Sequence, residues 1–171
     1  DITKSLSKNG AKIHFTDNYL SIPSQFLNQS ETLVVYTPAI SKFNKEYKYF
    51  KENGFEILKR SELLGLISKD KFCIAIGGTH GKTTTSTILS HILLENNISF
   101  TSFIGGMSEN YNTNFIQNGN DIILVEADEF DRSFHTLFPN IACVTSTDSD
   151  HLDIYNSEQE LKKSFMLLQF A

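Results

Sequence analysis

Lys82 and Thr83 directly follow Gly81 in GGTHGKTTT, where an apolar run gives way to a helical pattern. Those residue types in that order suit the binding of phosphate. Glycine lets the backbone approach an anion closely, and the bare N–H groups and dipole of a helix start attract one. Lys82 would reach the outer phosphates, and the Thr83 hydroxyl is placed to hold Mg²⁺. The general phosphate-loop spacing G-x-x-x-x-G-K-[ST] would need glycine where Ile76 stands, so only the shorter GTHGKTT of residues 78–84 is present. His80 lies inside this loop and could contact a nucleotide.

Two further stretches carry chemistry. ILVEADEFDRS, residues 123–133, is an apolar run ending in acids. A carboxylate at a strand end is the usual partner of a phosphate loop, because Mg²⁺ prefers oxygen ligands and bridges phosphates. Glu126 is the first choice for that ligand, ahead of Asp128; a solvated acidic turn is the plainer alternative. Arg132 stands among four acids, either ion-paired or able to grip a carboxylate or phosphate. TSTDSDHLDIY, residues 145–155, sets His151 among Asp148, Asp150 and Asp153. It is either a structural histidine or a metal ligand. Nothing of this kind surrounds His14, His91 or His135, which read as packing or surface residues.

The elements that must position these groups alternate between strand and helix. Residues 1 to about 9 read as the tail of a helix closed by Gly10, and 11–15 (AKIHF) as a short strand. A buried strand follows at 32–36, stopped by Pro38, then a helix at 45–53 closed by Gly54. Residues 55–58 form another strand, and Ser61 is the expected N-cap of a helix to Ser68. The run 72–76 is a buried strand, and Ile88, Leu89, Ile92 and Leu93 fall on one face of the helix after the loop. Residues 99–104 form a strand ending at Gly105-Gly106, 107–120 a loop or hairpin, and 121–125 and 141–145 buried strands. Ser157 caps a last helix whose face holds Leu161, Phe165 and Leu168. Such alternation implies a mainly parallel sheet with right-handed crossovers, and SKDK at 68–71 marks a boundary between domains at 1–70 and 71–171.

Bulk properties exclude several classes. The 171 residues carry a net charge of −5, with 40% hydrophobic and 20% charged residues, as in ordinary globular chains. No basic run suggests nucleic-acid binding, and no stretch is long and apolar enough for membrane insertion. Cys73 and Cys143 each sit in an apolar run and read as two buried, reduced thiols of a cytoplasmic protein.

GTHGKTTT, FIGGMSENYNTNF, VEADEFDRSF and TSTDSDHLDIY, in this order and separation, resemble the blocks of the Mur ligases. The resemblance covers nearly the whole chain. It implies an α/β fold: part of a Rossmann-like N-terminal domain that holds a uridine nucleotide, then part of a central, P-loop-type ATP-binding domain. The first strand of the one and the remainder of the other, with a C-terminal domain, are expected outside residues 1–171. VVYTPAI at 34–40 resembles the uridine-contacting loop. The resemblance further implies ATP and Mg²⁺, with Gly78, Thr79, His80, Gly81, Lys82, Thr83 and Thr84 around the nucleotide. Thr83 and Glu126 would hold one metal and His151 a second, making Lys82, Glu126 and His151 the catalytic set. Gly105, Gly106, Asn112, Asn114 and Arg132 would lie near the muramate. The implied partners are UDP-N-acetylmuramate and L-alanine, joined through an acyl phosphate, and these residues alone are expected to lack ligase activity. Asp148 stands where the family often has glutamate. The alternatives are a tripeptide-recycling ligase of the same superfamily, a folate ligase, or a nucleotide-binding protein without ligase chemistry. The α/β stretch ahead of the loop argues against the folate enzymes.

Overall fold

A computed structural model describes residues 2–127, 136–148 and 160. The chain divides into two compact units, Asp1–Arg60 and Ser61–Ala171.

In the first unit, helix α1 (Ile2–Lys8) ends before Gly10, whose φ of 93° is the left-handed value expected of a closing glycine. Residues 11–15 are irregular and exposed rather than a strand, and among the described residues no strand pairs with them. Strand β1 (Leu33–Tyr36) pairs in parallel with β2 (Glu56–Lys59), Leu33 opposite Glu56 and Tyr36 opposite Lys59. Helix α2 (Lys45–Glu52) connects them. Its first turn is capped twice: Asn44 Oδ1 accepts from Tyr47 N at 2.8 Å, and Asp17 Oδ1 accepts from Lys45 N at 2.6 Å. His14 Nε2 lies 2.9 Å from Glu46 Oε1 in the same turn. The β1 strand is not the buried strand that its composition suggests. Leu33 and Val35 are exposed, and only the opposite face packs, Tyr36 lying 5.0 Å from Tyr47 between ring centres. Phe55 is the buried centre of an aromatic cluster, edge-on to Phe50 at 4.9 Å.

The second unit begins within α3 (Arg60–Lys69), which starts one residue before Ser61. Ser61 is therefore inside the helix rather than its cap, and its carbonyl accepts from Thr136 Oγ1 at 2.8 Å. Among the described residues the sheet has five strands in the order β5-β4-β6-β3-β7. They are β3 (Phe72–Gly77), β4 (Phe100–Ser108), β5 (Thr113–Gln117), β6 (Ile122–Glu126) and β7 (Ile141–Val144). All run parallel except β5, which forms an antiparallel hairpin with β4. The middle strands are apolar on both sides: Cys73, Ala75, Val125 and Leu124 have no exposed surface. Cys143 is the exception to the expected pair of buried thiols. It lies exposed on β7, an edge strand among the described residues.

Helix α4 (Lys82–Glu95) buries Ser86, Ser90 and Leu93, while Ile88 and Ile92 stand in solvent. Of the expected stripe Leu93 is buried and Leu89 packs against the core, but Ile88 and Ile92 are turned out because the helix needs small residues to lie close to β4. Ser90 Oγ donates to the Ser86 carbonyl at 2.7 Å and lies 2.9 Å from Ser102 Oγ on the strand. The β4 strand does not stop at Gly105-Gly106 but runs through them to Ser108. The expected helix after Ser157, with Leu161, Phe165 and Leu168, lies outside the described residues.

Candidate functional site

Register decides what surrounds the glycine-bearing loop between β3 and α4. On β3, Ile76 is opposite Glu126 of β6 on one side and Cys143 of β7 on the other. The loop of residues 78–81 therefore leaves the carboxyl edge of the sheet between the exits of β6 and β7, where ligands gather in open parallel sheets. Gly81 caps α4 with φ 82°, and Gly78 has φ 126°, both in the left-handed region that side chains avoid. Lys82 Nζ donates to the Gly78 carbonyl at 2.5 Å, folding the cation back over the loop.

From the β6 side, Glu126 reaches the start of α4. Thr83 Oγ1 donates to Glu126 Oε2 at 3.2 Å. These oxygens fit the donor set of a hard cation, and adjacent ligands of octahedral Mg²⁺ stand about 3 Å apart. Two glycines of β4 keep the space beside them open. A Cβ on Gly105 would lie 2.7 Å from Glu126 Oε2, and one on Gly106 would lie 3.2 Å from Thr83 Cγ2. Gly105 and Gly106 thus border the oxygen pair itself. Among the described residues no three His, Cys, Asp or Glu side chains gather in one place.

Residues 145 and 146 brace the loop from the β7 side, a role not read from the sequence. Thr79 N donates to the Ser146 carbonyl at 3.0 Å, Thr79 Oγ1 and Ser146 Oγ are 2.7 Å apart, and His80 N donates to Ser146 Oγ at 3.0 Å. Thr145 N donates to the Gly77 carbonyl at 3.0 Å. The signal available beforehand was two hydroxyl residues leaving a strand next to β3.

The remaining expected site residues divide cleanly. Thr79 is buried in the loop, while His80 and Thr84 are exposed beside it. Asn112 and Asn114 are exposed in and after the β4–β5 turn, Asn112 with φ 50°. Asp148 is exposed beyond β7. Asp128, Arg132, His135, Asp150, His151 and Asp153 lie outside the described residues.

Comparison with known proteins gives this arrangement a family. The model of the Mur ligase middle domain matches residues 76–170, and that of the Mur ligase family catalytic domain matches 1–72. The chain belongs to the Mur ligase family. It is 54% identical over 164 residues to a UDP-N-acetylmuramate–L-alanine ligase of Flavobacterium psychrophilum, matching 96% of this chain and 36% of the relative. The same-named protein of Flavobacterium johnsoniae is 51% identical over 170 residues, covering 99% and 37%. The chain thus spans a little over a third of the length of these relatives. Among solved structures, UDP-N-acetylmuramate–alanine ligase of Thermotoga maritima superposes with a TM-score of 0.82 at 28% identity, over 98% of this chain and 38% of that one. The mixed α/β fold with a mostly parallel sheet is the fold of this Mur ligase. Among the described residues no helix is long and apolar enough to cross a membrane.

Proposed function

We propose that the chain is the nucleotide-binding part of an ATP-dependent ligase that joins L-alanine to UDP-N-acetylmuramate in peptidoglycan precursor synthesis. The observation that carries the ligase reading is the meeting of Thr83 with Glu126 beside the Lys82 loop. The choice of substrates rests on identities near 50% to relatives that bear that name. In this reading residues 1–70 contribute to the uridine-nucleotide site and residues 71–171 hold ATP. The work takes place in the cytoplasm, where ATP and the sugar nucleotide are supplied.

The chemistry follows from the groups present. The muramoyl carboxylate attacks the γ-phosphorus of ATP, ADP leaves, and an acyl phosphate forms. The amine of L-alanine then attacks the acyl carbon, loses a proton and expels inorganic phosphate. Phosphoryl transfer asks mainly for positioning and charge neutralisation. Two unit anions about 4 Å apart repel by about 4 kcal/mol at an effective dielectric near 20. Lys82 and the amino end of α4 lower that repulsion, and the loop backbone fixes the phosphates in line with the carboxylate. Thr83 and Glu126 would hold Mg²⁺, which would supply further neutralisation, and the resemblance assigns a second metal to His151, outside the described residues. Gly105, Gly106, Asn112 and Asn114 would line the approach of the muramoyl group, and the family resemblance assigns the same role to Arg132, which lies outside the described residues. His80, Thr79 and Thr84 complete the contacts to nucleotide.

Calorimetry tests the reading. The full-length protein is titrated with UDP-N-acetylmuramate, with and without Mg-ATP. Saturable binding of the sugar nucleotide, tightened or loosened by Mg-ATP, is expected. Binding of Mg-ATP with no response to UDP-N-acetylmuramate would reduce the protein to a nucleotide-binding module.

A further inference from the structure

The carbonyl groups of Gly77, Gly78, His80 and Gly81 are tied back by hydrogen bonds, and two of these carbonyls are held from outside the loop and its helix. Phosphate binding needs N–H groups turned toward the anion and carbonyl oxygens turned away; the Thr79 and His80 N–H groups are turned to Ser146, so the donor role falls to the amino end of α4. The Gly78 carbonyl is held by Lys82 Nζ and the Gly81 carbonyl by Thr85 N at 2.9 Å, both from within the loop and α4. The Gly77 and His80 carbonyls are held instead by residue 145, at the exit of β7. Thr145 N donates to Gly77 O at 3.0 Å, and Thr145 Oγ1 lies 2.5 Å from His80 O and 3.1 Å from Gly77 O. A hydroxyl carries one proton. The Gly77 carbonyl already receives a backbone N–H, so the shorter contact to His80 is the one the hydroxyl serves. The fit around this side chain is close on one side. A Cβ at Gly78 would come within 2.3 Å of Thr145 Oγ1, and a Cβ at Gly81 within 3.7 Å of Thr145 Cβ. Gly78 therefore leaves the space that the threonine hydroxyl occupies, while a Cβ on Gly81 would make only ordinary contact with the side chain.

From this geometry we infer that Thr145 is a positioning residue for the nucleotide. Its hydroxyl fixes the His80 carbonyl away from the phosphate site and sets the loop in its anion-binding shape before ATP arrives. The inference rests on the reading of residues 78–84 as an ATP loop. It deepens that reading by extending the nucleotide site to the far side of β3. Without the hydroxyl, the His80 carbonyl loses this tie and can turn its oxygen toward the anion, and part of the binding free energy is spent on restoring the loop.

The test compares Mg-ATP affinity, by calorimetry on the full-length protein, for the parent, Thr145→Ser, Thr145→Val and Lys82→Ala. Thr145→Val preserves shape and removes only the hydroxyl, and should weaken Mg-ATP about tenfold, the order expected for one lost hydrogen bond. Thr145→Ser keeps the donor and should bind within about twofold of the parent. Thermal unfolding midpoints of the two variants should agree, which separates loop positioning from general loss of structure. Should Thr145→Val fail to fold, Thr145→Ala reads the same hydroxyl. Parental affinity in the variant without the hydroxyl, with Lys82→Ala still defective, would overturn the role of Thr145 and leave the ATP loop standing. Equal loss in Thr145→Ser and Thr145→Val would overturn it as well. Parental affinity in Lys82→Ala would instead remove the ATP loop, and this inference with it.

Discussion

Thr83 and Glu126, 43 residues apart in the chain, meet through a 3.2 Å hydrogen bond at the carboxyl edge of the sheet. One opens α4 and the other ends β6, so the contact exists only because β3 and β6 are parallel neighbours in register. Mg²⁺ is a hard cation that takes oxygen ligands, and this pair presents two of them beside the loop proposed to hold phosphate.

If that pair is the metal site, changing either the ligand or its support should alter the Mg²⁺ requirement. Glu126→Gln removes a charge and should raise the Mg²⁺ concentration for half-maximal activity by tenfold or more, of the order of a lost charged contact. Gly105→Ala should do so more mildly, because its Cβ would sit 2.7 Å from Glu126 Oε2 and displace a flexible carboxylate rather than backbone. Its unfolding free energy should change by less than about 1 kcal/mol, as only a side-chain end has to move. Mg²⁺ titrations of activity that overlay the parental curve for both variants would make these residues structural.

A different glycine serves the fold alone. A Cβ on Gly65 of α3 would meet the Thr136 carbonyl oxygen at 2.3 Å, and that atom belongs to backbone. Gly65→Ala gains about 0.5–1 kcal/mol of helix preference, but overpacking against backbone costs about 1–3 kcal/mol and should outweigh it. Urea unfolding should therefore show a lowered midpoint, whereas an unchanged or raised midpoint would mean α3 is free to shift away from Thr136.

The two cysteines should behave differently. Cys143 is exposed and Cys73 has no exposed surface. Burial pushes the Cys73 thiol up from 9.0 to about 11, against a smaller opposing effect of its hydrogen bond with Ser68. A thiol reagent at neutral pH should modify one cysteine quickly in the folded chain and both after denaturation. In the window from 9.0 to about 11 the unfolded state gives up the Cys73 proton while the folded state keeps it. Stability is therefore intact below that window and falls across it, by about 2–3 kcal/mol for a shift of this size. Because Cys73→Ala lacks the group, its stability deficit relative to the parent should shrink as pH rises through the window. A deficit independent of pH would mean the thiol titrates alike in both states.

Much of the site was legible because it depends on local patterns. GTHGKT specifies its own turn and helix start, and an apolar run ending in Glu126 specifies a strand edge, so both could be read from neighbours in the chain. What escaped depended on partners far away in sequence. Ile88 and Ile92 look like the buried face of α4, yet its close approach to β4 selects Ser86 and Ser90 instead. Residues 11–15 alternate like a strand but find no strand to pair with. Cys143 resembles a core residue until β7 takes an edge of the described sheet. Thr145 and Ser146 carry no motif at all, since their role arises only when β7 pairs with β3 and brings two hydroxyls beside the loop.

The most direct test of the central claim is alanine-dependent release of phosphate by the full-length protein supplied with ATP, Mg²⁺ and UDP-N-acetylmuramate. Release should require all three substrates, and Lys82→Ala should remove it while the protein remains folded. One charge-assisted contact is worth about 1.5–3 kcal/mol in binding, and more where charge develops in the transition state. Release that ignores L-alanine or UDP-N-acetylmuramate, or that continues at the parental rate in folded Lys82→Ala, would contradict the assignment.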